Sequence, residues 1–338
     1  MKKNLSPHLC AYAADVLNRH WTALLTEMEG VHDLADIEHV HRMRVATRRL
    51  RAALPIFSIC FPAKKVTQWT NDIRQITRAL GAARDSDVQI ELLTQILASL
   101  PETRLRPGVR RLLLRRRQAR TAIQPKVVQA VEEFHESPTL SSFPAALAPH
   151  LPPPEAESPS LTFDHALYAL AAEHIQARLE EFLSFEAHVA YPDHAEELHA
   201  MRIAAKGLRY TLEAFAPLYA DQLKDELKAL RAFQDTLGAL HDADVWLAEL
   251  PRFAEKELRR TEKFYGSARP FRSLRPGLEY FAQNRTGERE RVYQELVRLW
   301  DQTQTRGLWP SLLAQVQLPL LRIENLYPAV QPTPPDEA

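Results

Sequence analysis

Cysteine is nearly missing from this 338-residue chain, with Cys10 and Cys60 the only two. Two thiols without metal-ligand spacing around them are too few for a disulfide framework and point to a reducing compartment. Glycine is also scarce, at nine residues, and no stretch alternates apolar and polar side chains as a half-buried strand would. A sheet protein is thereby excluded. Long apolar runs are absent as well. The opening MKKNLSPHLCAYAADVLNR is interrupted by Pro7, His8, Asp15 and Arg19, leaving no signal peptide or membrane span. The expectation is a cytoplasmic protein that does not enter a membrane. No HExxH, paired CxxC, Gly-rich phosphate loop or Ser/His/Asp arrangement is readable, so no catalytic residue, no cofactor and no enzyme activity is expected.

What remains is a chain rich in Ala, Leu, Arg and Glu, with 45% apolar residues, enough to bury a core. It reads as all-helical. Prolines cluster where helices should stop: near Pro101 and Pro107, through FPAALAPHLPPPEAESPS (143 to 160), at Pro270 and Pro276, and in the tail. The formal net charge is zero, but residues 1–130 hold 22 Lys and Arg against 11 Asp and Glu. The rest of the 43 and 43 falls as 21 against 32 beyond residue 130. Local charge, rather than the total, decides what such a chain binds.

Self-similarity organises the sequence. MRVATRRLRAALPIF (43 to 57) lines up with MRIAAKGLRYTLEAF (201 to 215), and His41 falls on His199, at an offset of 158. IRQITRALGAARDSDV (73 to 88) lines up with LRAFQDTLGALHDADV (230 to 245), and RPGV at 106 meets RPGL at 275. The chain is therefore a tandem duplication of a unit of about four helices. Its expected divisions are a first repeat over 1–135, a Pro-rich linker over 136–160, a second repeat over 161–305, and a C-terminal extension over 306–338 with a disordered end.

At roughly 100° per residue, His41, Arg44, Arg48 and Arg51 fall within an arc of roughly 80° of one helix. Met43, Ala46, Leu50, Ala53, Leu54 and Phe57 lie opposite. The second copy repeats the pattern, with His199, Arg202, Lys206 and Arg209 against Met201, Ala204, Leu208, Leu212 and Phe215. A charged face is usually a solvated face, but such faces mix signs so that neighbours one turn apart attract. Both stripes are purely cationic, and both copies keep His-x-x-Arg-x-x-x-(Arg/Lys)-x-x-Arg. This favours an anion site. Asp85, Asp87, Asp242 and Asp244 follow in LGAARDSDV and LGALHDADV, and their expected role is to hold arginines in position. Arg74, Arg78 and Arg231, together with the matched Arg116 and Arg120 and Arg285 and Arg289, are candidates for additional lining. The run RLRPGVRRLLLRRRQAR (104 to 120), with eight arginines and no acid, reads otherwise as an outer basic patch.

Thirteen histidines raise the question of a metal, with His39-x-His41 the local candidate, but His41 and His199 stand among arginines that would repel a cation. No metal site is expected. Nucleic acid is the competing ligand, since basic helices bind phosphate backbones. Single-strand binders interleave aromatics for stacking, however, and here only Tyr210 adjoins a stripe. Charge without a means of reading bases favours a polyanion made of phosphates alone.

The doubled HRMRVATRRLRAAL…LGAARDSDV and LHAMRIAAKGLRYTLE…LGALHDADV resemble the conserved histidine α-helical domain, the CHAD domain, over residues 8–305. The resemblance implies two four-helix bundles related by a pseudo-twofold, with basic helices facing a central cavity that binds inorganic polyphosphate. It also implies association with polyphosphate granules. The family's histidine falls on His41 and His199, and its basic positions on Arg44, Arg48, Arg51, Arg202, Lys206 and Arg209. Gly207 and Asp235 depart from that pattern. The triphosphate-processing tunnel domain fused to some members is not readable here, so the resemblance implies a stand-alone binding module.

Overall fold

Helices with one apolar stripe need a partner for that stripe, and this chain supplies partners by folding successive helices back on one another. The computed structural model describes residues 6–33, 36–152 and 164–326, with side chains to residue 321. Among the described residues all regular structure is helical. The α-helices are α1 (Pro7–Glu27), α2 (Ile37–Phe57), α3 (Ala63–Ser99), α4 (Arg106–Glu136), α5 (Pro138–Leu147), α6 (His165–Leu183), α7 (Ala195–Phe215), α8 (Lys224–Tyr265), α9 (Arg275–Thr305) and α10 (Leu308–Leu326). The series α1–α4, of 21, 21, 37 and 31 residues, is echoed by α6–α9, of 19, 21, 42 and 31.

Local chemistry sets the helix starts. Ser6, Asp36 and Asp164 accept the N–H groups of Leu9, Glu38 and Leu167, capping α1, α2 and α6. Pro107 and Pro276 lie in the first turns of α4 and α9, where a missing N–H leaves no helical bond unmade. Asp87, on α3 beyond Gly81, is 4% exposed and accepts a hydrogen bond from Arg120 Nε of α4 at 2.7 Å. Asp244 on α8 accepts one from Arg289 of α9 in the same way. A carboxylate and a guanidinium thus tie each long helix to the next.

The apolar faces meet in two cores. In the larger one, Trp21 and Trp69 pack on Phe143 at 4.5 and 4.9 Å, and Phe182 packs on Phe233, Trp300 and Trp309 at 5.3–5.6 Å. The repeats join through their matched phenylalanines, Phe57 and Phe215, whose ring centroids are 5.5 Å apart, while the Tyr12 hydroxyl donates to the Ala214 carbonyl at 2.7 Å. The second core lies where α3 and α8 outrun the bundles and meet the starts of α4 and α9, around Leu93, Val109, Leu112, Trp246 and Phe281. There Gly108 and Gly277 cross so closely that a Cβ on either would lie 2.1–2.2 Å from the carbonyl oxygen of Leu274 or Leu105.

Two sequence expectations meet a different structure. The Pro-rich segment was expected as linker from 136, yet 138–147 form α5, because Phe143 supplies a large apolar side chain that is fully buried. The remainder of that linker from 153, and the tail expected to be disordered, lie outside the described residues. Cys10 and Cys60 are joined in one disulfide across the α1–α2 hairpin, with Cα atoms 5.4 Å apart, so the cysteine count carries no argument for a reducing compartment. The C-terminal extension begins as α10, whose Trp309, Leu312 and Val316 are buried on the second repeat.

At the α4–α8 junction Glu257 is fully buried and accepts hydrogen bonds from Arg111 and Arg115 of the first repeat and Arg260 of its own helix. Burial alone would raise its pKa, but these three guanidinium groups outweigh it and hold the carboxyl at about 2. A carboxyl depressed in the folded state contributes stability above its unfolded pKa, and this is lost as pH falls toward the folded value. Glu257→Gln is expected to lower unfolding free energy by about 2–3 kcal/mol at neutral pH, discounted because the arginines can reach water. In denaturant titrations the gap to the parent should close between about pH 5 and pH 2. A gap constant with pH would contradict the assignment.

Candidate anion-binding site

The two cationic stripes are amphipathic faces of α2 and α7, and burial of Met43, Leu50, Leu54, Met201, Leu208 and Leu212 in the core turns both toward the space between the repeats. Arg44, Arg48, Arg51, Arg78 and Lys206 line one cavity of about 470 Å³, together with Thr77, Gly81, Ala82 and Asp85. Arg202 joins them electrostatically, since Arg44, Arg48 and Lys206 each feel its charge or impose theirs on it. Residues 158 positions apart in the chain thereby share one site.

The site has far more positive than negative charge. Arg44 Nη2 reaches Asp85 Oδ1 only at 3.4 Å, and that carboxylate is 71% exposed. Among the described residues no carboxylate pairs with Arg48, Arg51, Arg78, Arg202 or Lys206. The buried Nε atoms of Arg44, Arg202 and Arg209, and Nδ1 of His199, find no hydrogen-bond partner in the protein among the described residues. Orphaned buried donors are costly, and here they are concentrated beside like charges. Burial lowers the pKa of Arg44 and Arg202, and it lowers that of Lys206 to about 7, with Arg202, Arg48 and Arg44 adding repulsion.

The histidines stand at the ends of the stripes. The pKa of His41 is lowered by burial and then by Arg84. His199 packs against His241 with ring centroids 4.0 Å apart, and burial holds His199 below its usual range and His241 at about 4. Arg84 and His241 were not singled out from the sequence. They occupy the same position of LGAARDSDV and LGALHDADV, so the repeat alignment held the signal. Thr77, also in the lining, carries no sequence signal of its own.

Other expected residues have different placements. Arg209 pairs with Glu213 at 3.4 Å, and Glu213 also accepts from Arg49 of the first repeat at 3.1 Å, so Arg209 belongs to a clamp between α2 and α7. Tyr210, between the stripes, is buried, with Arg48 and Arg209 over its ring at 5.4 and 5.1 Å. Arg120 and Arg289 are committed to Asp87 and Asp244, which leaves them as struts. Arg116 lies over Trp246 and bonds Glu249, and Arg285 lies over Phe281 and bonds Asn284. None of these four lines the cavity, because each finds a partner on its own or a neighbouring helix. Arg74 is exposed and acts on Arg51 electrostatically, and Arg231 is exposed. Of the aspartates, Asp85 reaches Arg44, Asp87 and Asp244 hold the struts, and Asp242 acts on Arg202 and Lys206 through charge alone.

Comparison with known proteins follows the same outline. The family model of the CHAD domain matches residues 15–251. Uncharacterized proteins from two Mycobacterium tuberculosis strains, CDC 1551 / Oshkosh and ATCC 25618 / H37Rv, are each 29% identical over 210 residues, which is 61% of this chain. The match spans 38% of the length of those relatives. The crystal structure of the CHAD domain from the plant Ricinus communis superposes with a TM-score of 0.54 at 24% identity, covering 92% of this chain and 91% of that one. PptA from Streptomyces chartreusis superposes at 0.57 with 16% identity, covering 86% and 99%. At these identities the structural likeness concerns the fold.

Proposed function

The chain belongs to the CHAD domain family, and from that premise we propose that it binds inorganic polyphosphate, without transforming it, in the cavity between α2 and α7. The observation that carries the proposal is the set of half-buried and exposed guanidinium groups and one half-buried amine around a single cavity whose lining holds one exposed carboxylate, with the buried Nε atoms of Arg44 and Arg202 left without a partner among the described residues. A linear phosphate polymer would give each orphaned donor an acceptor oxygen and each cation a counter-charge through charge-assisted hydrogen bonds. Arg44, Arg48, Arg51, Arg202 and Lys206 are the anchors in this reading, with His41 and His199 at the ends. Tyr210 is buried under two arginines and so offers no platform for a base, which favours polyphosphate over nucleic acid. No helix of the described residues is long and apolar enough to cross a membrane, and residence at polyphosphate granules would follow from the ligand itself.

A calorimetric titration with medium-chain polyphosphate, run beside a single-stranded oligonucleotide of equal charge at two salt concentrations, tests this. The expected result is polyphosphate binding that resists salt better than the oligonucleotide's. Equal and equally salt-sensitive binding of both would reduce the site to a generic basic surface. Consumption or synthesis of polyphosphate during the titration would overturn the non-catalytic part.

Lys206 gives the binding a pH signature. Its amine has a pKa of about 7 in the free protein, and a bound phosphate raises it, so binding takes up a proton above that pH. Affinity is full below about pH 7 and weakens as pH rises toward 9, by at most about tenfold per unit. Lys206→Arg, charged throughout, should flatten this limb. A limb that is unchanged in the variant would assign the titration to another group.

A further inference from the structure

We propose that the loop between α6 and α7 holds a divalent transition-metal ion of the zinc type, bound by His188, His194 and Glu197. His188 closes the 3-10 turn after α6, His194 is the residue before α7, and Glu197 lies in the first turn of α7. The Nδ1 atoms of the two imidazoles face each other at 2.9 Å, and the Glu197 carboxylate completes a group whose ligand atoms all lie within 4.8 Å of one another. Among the described residues this is the one group of three or more such side chains close enough to share an ion.

The geometry is that of a metal site with little left to arrange. Two nitrogens of the same kind at this separation cannot both carry a proton, so in the free protein one must be a bare acceptor. Ligand atoms on a four-coordinate zinc stand about 3.3 Å apart, so the imidazoles need part by only a few tenths of an ångström while the carboxylate swings in. Two imidazoles and a carboxylate are a donor set suited to zinc and its first-row neighbours, and they leave a fourth position for water or an anion oxygen. All three residues are half-buried.

The surroundings fix the ligands. The His194 ring stacks on Tyr191 at 4.8 Å, and His188 rests against Phe185. The loop backbone is bolted to α9 twice, by the Tyr293 hydroxyl donating to the Val189 carbonyl and by Arg289 donating to the Pro192 carbonyl. That arginine is also committed to Asp244, which offsets its charge near the loop. Such outer contacts orient ligands before the metal arrives. The first repeat uses other chemistry at the matched position. His39, which aligns with Glu197, bonds the Glu27 carboxylate at 2.7 Å and so ties α2 to α1 directly. In the second repeat the ion would make the equivalent tie between the loop and the helix bearing His199, Arg202 and Lys206. The sequence reading considered only His39-x-His41 and expected no metal, because the three ligands are separated by a turn whose closure only the fold displays.

The test uses the full chain stripped of metal with a chelator and titrated with zinc against a chromogenic competitor. One equivalent should bind tightly and raise the melting temperature. His188→Ala and His194→Ala should each weaken that equivalent by at least about tenfold. Cobalt in place of zinc should give the intense visible absorption of a low-coordinate site in the parent and lose it in both variants. Glu197→Gln, which keeps the shape of the side chain, guards against misfolding and should weaken zinc while leaving helicity unchanged. Affinities within about twofold of the parent in all three variants, or the same cobalt spectrum in each, would overturn the site.

Discussion

Replacing Arg44 and Arg202 together by alanine is expected to remove polyphosphate binding, by about a hundredfold to ten-thousandfold, while leaving the melting temperature nearly unchanged. The magnitude comes from two charge-assisted hydrogen bonds of about 1.5–3 kcal/mol each. The insensitivity of the fold follows from where these guanidinium groups sit. Each has a buried Nε without an acceptor and stands beside other cations, so the free protein gains little from holding them. Their removal also relieves repulsion on Lys206. The matching control removes the same charge from the outer basic run, as Arg110→Ala with Arg117→Ala, both exposed. The control should lose less than about threefold, because exposed charges act through screened, long-range attraction. Equal losses in the two double variants would mean that charge alone, without the cavity, sets affinity.

The second large effect is on the fold. Gly108→Ala and Gly277→Ala are each expected to destabilise the protein by about 3 kcal/mol or more, at the upper end of overpacking costs. The added methyl would meet backbone, not a flexible side chain: Leu274 O at 2.2 Å from position 108, and Leu105 O at 2.1 Å from position 277. Relief requires α4 and α9 to move apart, which opens the core around Val109, Leu112, Trp246 and Phe281. Denaturant titration of the two variants reads this directly. Substituting Gly287 on α9 by alanine is the control, because nothing lies near its Cβ, and there the helix should gain slightly from the better propensity. Parent-like stability at positions 108 and 277 would refute the crossing.

The sequence made the helices and the two stripes legible because each is a short-range pattern. Spacing within one helix fixes which side chains share a face, and α2 and α7 bury the faces so identified. The fate of a given arginine was less legible. Arg48 and Arg120 both belong to basic runs, yet one lines the cavity and the other is buried on Asp87. The difference lies in a carboxylate 33 residues away, and helical periodicity holds no information about it. Glu257 escaped notice for the same reason, since its partners Arg111 and Arg115 are more than 140 residues distant. The disulfide depends on α1 and α2 lying side by side, which places Cys10 near Cys60 across 50 residues of chain. Arg84 and His241 could have been found. They are matched within the repeated motif, but their difference in residue type hid them from a reading that looked for identity.

The most direct test of the central claim is a crystal structure of the protein with medium-chain polyphosphate. The account predicts successive phosphates threaded between α2 and α7, with oxygens within hydrogen-bond reach of Arg44, Arg48, Arg202 and Lys206. Phosphates lying instead along the exposed arginines of residues 104–120, with the cavity unchanged, would contradict it.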